Sequence, residues 1–211
     1  MKNNSINRKL IIGTAQFGMP YGIANQKGQI HNSEIAEILD LSWENGINIL
    51  DSAKLYGNSE VAIGEYLVKY PKNSWTIITK LSNREIDISE QLKDSTKKLT
   101  ISPTIVMAHS AQLFLEDEFQ KEFSVSINNR KTKVGVSVYT ENEINMILSS
   151  RFKPDVIQLP MNILDTRLYR NGVINRLHEK RIEIHVRSAF LQGLFYLDES
   201  KLNRQFSDAV P

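Results

Sequence analysis

The sequence predicts an α/β fold in which parallel strands and helices alternate and close into a (β/α)8 barrel of TIM type. Three observations predict it. Short apolar runs alternate with helical patterns along the chain, the signature of repeated βα units on a parallel sheet. Several runs are apolar on successive residues, as strands are when helices cover the sheet. Polar, titratable residues recur where the runs end, at Asp51, Lys80 and His109. In a barrel those ends meet at one mouth, where active sites sit, whereas an open doubly wound sheet spreads them along an edge. Seven strands are visible, against the eight of a barrel that usually takes roughly 250 residues. The expectation is one barrel domain over residues 1–211, lacking its C-terminal unit.

The elements follow in order. "LIIGTA", from Leu10, is the first strand. "NSEIAEILDLSWENG" is a helix capped by Asn32 or Ser33, with Glu34 at its positive end and Ile35, Ile38 and Leu39 on one face. Asn45-Gly46 ends it. "INILDSA" is the second strand, and "EVAIGEYLVKY" the second helix, stopped by Pro71. "WTIITKL" is the third strand, followed by the helix "ISEQLKDSTKKL" with Ile88, Leu92 and Leu99 on one side. "TIVMAHS" is the fourth strand, and residues 116–130 read as a helix. "KVGVSVY" and "ENEINMILSS" form the fifth strand and its helix. "DVIQLPMN", a loop and "VINRLHEKR" form the sixth unit. "IEIHVRSAF" is the seventh strand. The polar tail from Leu197 carries no assignment.

Composition narrows the function classes. Hydrophobic residues make up 41% and charged residues 24%, ordinary for a soluble globular chain. A formal net charge of +2 is too small to suggest nucleic acid or an acidic membrane surface as partner. The absence of cysteine excludes disulfides and thiolate metal sites and leans towards the cytoplasm. No apolar run is long enough for a secretory leader or a membrane span. Gly13 and Gly18 have P-loop spacing, but Met-Pro follows instead of Lys-Ser/Thr, and no Gly-x-Gly-x-x-Gly is present. His31, His178 and His185 lack metal-ligand spacing and read as structural or solvent-facing. Trp43 and Trp75 read as core.

Singly, each strand-end residue has a bland explanation: Asp51 a cap, Tyr56 a packing residue, Lys80 a surface charge, His109 a satisfied loop residue. Together they make chemical sense. A tyrosine with a pKa near 10 is a poor acid at neutral pH, and a nearby ammonium such as Lys80 lowers that pKa. Asp51 can pair with Lys80 and offset its burial. His109 can donate a hydrogen bond to a substrate oxygen. The set fits proton transfer to a carbonyl oxygen as hydride reaches the carbon.

"LDSAKLYGNSE", "IITKL" and "VMAHS" resemble the signature, lysine and histidine segments of the aldo-keto reductase family. "LIIGTAQFGMPYGIAN", "GVSVYT", "DVIQLPMNIL" and "VRSAFLQGLF" resemble strand ends of its bacterial branch. The resemblance implies a (β/α)8 barrel, NADPH or less often NADH as cofactor, and reduction of a small-molecule aldehyde or ketone, possible sugar-type carbonyls among them. It implies Tyr56 as proton donor, Lys80 as its tuning group, Asp51 as the partner of Lys80, and His109 orienting the carbonyl. It places Thr14 near the nicotinamide ribose and Ser137 and Gln158 at the nicotinamide amide. Arg187, Ser188, Phe190 and Gln192 then lie along the cofactor's ring and pyrophosphate. Many members carry Asn after the strand-five serine, where this chain has Val138.

The family's eighth strand, and the loop that grips the adenosine 2′-phosphate, would follow "LQGLF". The sequence leads to the expectation of a truncated chain that binds NADPH weakly and self-associates through an open barrel edge. Two rival readings are a Schiff-base lyase using Lys80 as nucleophile and a non-catalytic barrel fragment that binds a partner.

Overall fold

The computed structural model describes residues 9–82, 85–127 and 132–197. Seven strands form one parallel sheet in the order of the chain: β1 (Ile12–Gly13), β2 (Ile49–Asp51), β3 (Thr76–Leu81), β4 (Ile105–Ala108), β5 (Lys133–Ser137), β6 (Val156–Pro160) and β7 (Glu183–Arg187). The sheet curls into a half-barrel, and the fold is the (β/α)8 barrel type with seven of its strands. Among the described residues β1 pairs with β2 only and β7 with β6 only.

Helices cover the outer face. They are α1 (Ala15–Gly18), α2 (Asn32–Glu44), α3 (Ser59–Lys69), α4 (Ile88–Leu99), α5 (Ala111–Leu115), α6 (Asp117–Ser126), α7 (Glu141–Ser149), α8 (Arg167–Arg170) and α9 (Val173–Glu179). A kinked 3₁₀ segment, Leu191–Tyr196, follows β7. Ile88 and Leu99 of α4 are buried as the sequence pattern requires. Asp87 caps α4 by accepting from the Glu90 N–H at 3.0 Å. Thr140 and Glu143 form a reciprocal capping box on α7.

Strand periodicity decides which side chains face the barrel interior. Ile78, Ile105, Met107 and Val156 form a small cluster with Ile11 and Ile49. The alternate residues pack outward beneath the helices in two larger clusters, one around Leu39, Leu50, Ile63 and Trp75, the other around Phe114, Phe123, Val136 and Leu159. Each such side chain contributes about 1.5–3 kcal/mol on burial. One step above the interior cluster, the same period brings Asp51, Lys80, Ser137, Gln158 and Arg187 to the C-terminal strand ends.

Several expected boundaries change. α2 starts one residue early: His31 is its N-cap, without a side-chain cap bond, while Asn32 instead donates to Glu65 at 2.9 Å. The expected helix over 116–130 is present as α6, Asp117–Ser126 with Glu116 as its N-cap, and the extended φ and ψ of Glu116 separate it from α5, which the sequence reading did not assign. Residues 128–130 of that expectation, and the tail from 198, lie outside the described residues. No described helix is long and apolar enough to cross a membrane.

Candidate active site at the barrel mouth

Lys80 is a buried charged side chain of the mouth, 1% exposed. Its Nζ donates to Asp51 Oδ1 at 2.5 Å and to the Ser52 carbonyl at 3.0 Å. An ammonium at this depth costs several kcal/mol unless paired. Burial pushes its pKa down, and Asp51 pulls it back up. The second oxygen of Asp51 accepts from Gln158 Nε2 at 3.2 Å, so one carboxylate ties β2 to β3 and β6.

Tyr56 and His109 stand beside this pair. The Lys80 ammonium lies 5.1 Å from the centre of the Tyr56 ring. The His109 ring meets Tyr56 edge-on at 5.9 Å and 82°. The expectation that Lys80 lowers the phenol's pKa is corrected here. Burial raises it well above 10, Asp51 raises it further, and the opposing charge is Arg187. The physical reason is that the charge of Lys80 is already compensated 2.5 Å away. Tyr56 therefore stays protonated at neutral pH. Burial lowers the His109 pKa to about 4, helped by Lys80 and Arg187 and opposed by Asp51, so this imidazole is neutral at pH 7. Its Nδ1 is buried without a partner.

The turn carrying Tyr56 is held from below. Ser59, fully buried, donates to Thr14 Oγ1 at 2.8 Å and shares a 3.0 Å hydrogen bond with Ser52 Oγ. Thr14 Oγ1 donates in turn to the Asp51 carbonyl at 3.0 Å. Thr14 is 0% exposed, and its hydroxyl ties β1 to β2. Gly18 of α1 touches the same turn: a Cβ there would sit 1.8 Å from the Tyr56 carbonyl oxygen. Glu60, 3% exposed, accepts from Thr79 Oγ1 at 2.6 Å and lies 3.9 Å from the Lys54 ammonium. The sequence reading missed this support. Its signal was the Ser59-Glu60 pair at a helix start, which on its own reads only as capping and dipole chemistry.

The opposite side of the mouth is built by β5 to β7. Ser137 and Gln158 are 4% and 3% exposed at their strand ends. Arg187 reaches from β7 across β6: Nη2 donates to the Val138 carbonyl at 2.9 Å, and the guanidinium carbon sits 4.0 Å from the centre of the Tyr139 ring. Its Nε is buried without a partner. Ser188, Leu191 and Gln192 then take positive φ values of 61°, 46° and 56°. Non-glycine residues held there cost of order 1–3 kcal/mol each and cluster at ligand sites. Gln192 donates to the Tyr21 hydroxyl at 3.0 Å, and its carbonyl accepts from the Ala24 N–H at 3.3 Å. The segment after β7 thus meets the loop after β1. Phe190 is exposed beside it.

The three other histidines lie elsewhere. His31 and His178 are exposed, and His185 is buried with Nε2 2.8 Å from Glu183. Among the described residues no group of three or more His, Cys, Asp or Glu stands together as a metal site. Trp75 is core, with Trp43 tilted against it at 5.4 Å.

The model of the aldo/keto reductase family matches residues 9–209. The chain belongs to the aldo/keto reductase family. Aldo/keto reductases are oxidoreductases of carbonyl compounds and generally use NAD(P)H. Two solved structures from Pseudomonas aeruginosa that carry the aldo-keto reductase name share the fold. One is 23% identical, with a TM-score of 0.71 over 88% of this chain and 74% of that one. The other is also 23% identical, with a TM-score of 0.67 over 84% of this chain and 71% of that one. No curated protein matches this aldo/keto reductase.

Proposed function

We propose that the mouth reduces an aldehyde or ketone to an alcohol with NAD(P)H, using Tyr56 as proton donor. The observation that carries this reading is the 2.5 Å Asp51–Lys80 pair with Tyr56 and His109 packed beside it. A nicotinamide cofactor supplies hydride to the carbonyl carbon. Tyr56, protonated at neutral pH, gives its O–H proton to the carbonyl oxygen, and water restores the proton to the phenolate. His109, neutral at pH 7, donates an N–H hydrogen bond to the same oxygen and polarises the bond. Lys80, held by Asp51, seats its ammonium 5.1 Å from the centre of the Tyr56 ring, and Arg187 supplies the charge that favours the phenolate as it forms.

The side chains present fit such a cofactor. Gln158 spends one amide hydrogen on Asp51 and keeps its carbonyl oxygen for a carboxamide N–H, with Ser137 adjacent on β5. Ser188, Phe190 and Gln192 border the same side, and Arg187 begins that segment.

The Schiff-base reading requires a free neutral Lys80. The Asp51 carboxylate at 2.5 Å opposes it. A sugar-type carbonyl remains the substrate class the resemblance points to. The reading is tested by following NADPH oxidation with a panel of aldehydes and ketones, beside borohydride trapping of Lys80. Turnover that depends on Tyr56, with no trapped adduct, supports the reductase; a trapped adduct on Lys80 overturns it.

A further inference from the structure

The charges of the mouth do not cancel. Lys80 and Asp51 neutralise each other across 2.5 Å. His109 is neutral at pH 7 and Tyr56 is protonated. That leaves the guanidinium of Arg187. Among the described residues it has no carboxylate within salt-bridge distance. Its hydrogen bonds run to the Val138 carbonyl at 2.9 Å and, at the limit of bonding distance, to Ser188 Oγ at 3.5 Å. Nε is buried and unpartnered. A desolvated guanidinium donor without an acceptor is costly, and such a group is completed best by an anion.

The location of this cation matters as much as its charge. The Tyr139 ring and the Val138 carbonyl hold it over the ends of β5 and β6. Arg187 ends β7 beside β6, whose Gln158 donates to Asp51 at 3.2 Å, so the guanidinium stands on the same strand-end face as the Asp51–Lys80 pair.

We propose that Arg187 is an anion receptor of the mouth, and that the carbonyl compounds this site accepts carry a carboxylate close to the reacting carbonyl. The inference rests on the reductase reading of the same mouth and adds the substrate's charge to it. The carboxylate accepts from the guanidinium Nη hydrogens that Val138 and Ser188 do not take, while the carbonyl oxygen turns to Tyr56 and His109. Arg187 is then a specificity-determining residue: it selects for the anion and holds the carbonyl in one orientation.

The test uses the chain as it stands, with phenylglyoxylate as the anionic probe and phenylglyoxylamide as its neutral counterpart. Binding is measured by calorimetry without cofactor, and NADPH oxidation is followed separately. The acid is expected to bind on the order of tenfold more tightly than the amide. Arg187→Gln should remove that preference by weakening the acid alone, Arg187→Lys should keep part of it, and added salt should weaken only the acid. Equal binding of both probes, no binding of either, or a preference that survives Arg187→Gln overturns the inference. If Arg187→Gln does not fold, the salt dependence of the parent and the Arg187→Lys variant decide. An Arg187-dependent preference for the acid with no NADPH oxidation sinks the reductase reading and leaves the anion receptor. Oxidation of NADPH with acid and amide alike does the reverse.

Discussion

Asp51 and Lys80 form a salt bridge of 2.5 Å in which the lysine is almost wholly withdrawn from water and the aspartate is 14% exposed. Removing one partner of such a pair leaves an uncompensated buried charge. Asp51→Asn should destabilise the fold by about 3–5 kcal/mol, read from chemical denaturation. The double variant Asp51→Asn, Lys80→Met should recover most of that loss, because both charges are gone. A double variant as unstable as the single one would show that packing, not charge, is at stake.

Tyr56→Phe isolates the proton donor. The ring and its contacts with Lys80 and His109 are kept, and the hydroxyl is lost. Turnover of an accepted carbonyl substrate should fall by a factor on the order of 100 or more. The midpoint of denaturation should move little by comparison. Full turnover in this variant would remove Tyr56 from the mechanism.

His109 makes stability depend on pH in a defined window. Its folded pKa, about 4, lies below the ordinary value of 6.5. Between those values the unfolded chain binds the proton and the folded chain does not. Stability therefore rises with pH across the window. The contribution is fully present above about pH 6.5 and is lost as pH falls towards 4. His109→Gln should flatten this part of the stability–pH curve, measured by urea denaturation at a series of pH values; an unchanged slope would refute the assignment.

Gly18 and Gly13 give a matched pair of substitutions. A Cβ at Gly18 meets the Tyr56 carbonyl oxygen at 1.8 Å and the Ser59 nitrogen at 2.2 Å, whereas nothing lies within 4 Å of one at Gly13. Gly18→Ala should cost about 1–3 kcal/mol or more and displace the Tyr56 turn, while Gly13→Ala should be near neutral for stability. Thermal unfolding of the two variants is the measurement, with equal losses counting against the close approach.

Much of this was legible in the residues. The helix Ile88–Leu99 has the expected bounds, because its apolar spacing and its turn signals agree. The convergence of Asp51, Lys80 and His109 followed from their places at consecutive strand ends. Other features are set by tertiary contact and leave little local trace. "LIIGTA" reads as a six-residue strand, yet only Ile12–Gly13 pairs, since the chain turns at once into α1 to bring Gly18 under Tyr56. The chemistry of Tyr56 was misjudged for the same kind of reason. Residue types suggested a lysine charge acting on the phenol, but the distance from Lys80 to Asp51 decides how much of that charge is left. Arg187 was placed with a cofactor segment by resemblance, and its reach across β6 to Val138 and Tyr139 is not written in its neighbours.

The in-order sheet divides the mouth into two stretches of chain that do not interleave. Tyr56, Lys80 and His109 come from residues 51–109, while Ser137, Gln158 and Arg187 come from residues 137–192. On the proposed mechanism one stretch handles the proton, and the other faces whatever delivers hydride and carries charge. Across the sheet their backbones are joined by the β4–β5 pairing, and at the mouth by the hydrogen bond of Gln158 with Asp51. A crossover between related genes near Lys133 would exchange one stretch whole and leave the other untouched. Ligand preference could in this way be inherited as a module, with the acid–base machinery passed on unchanged.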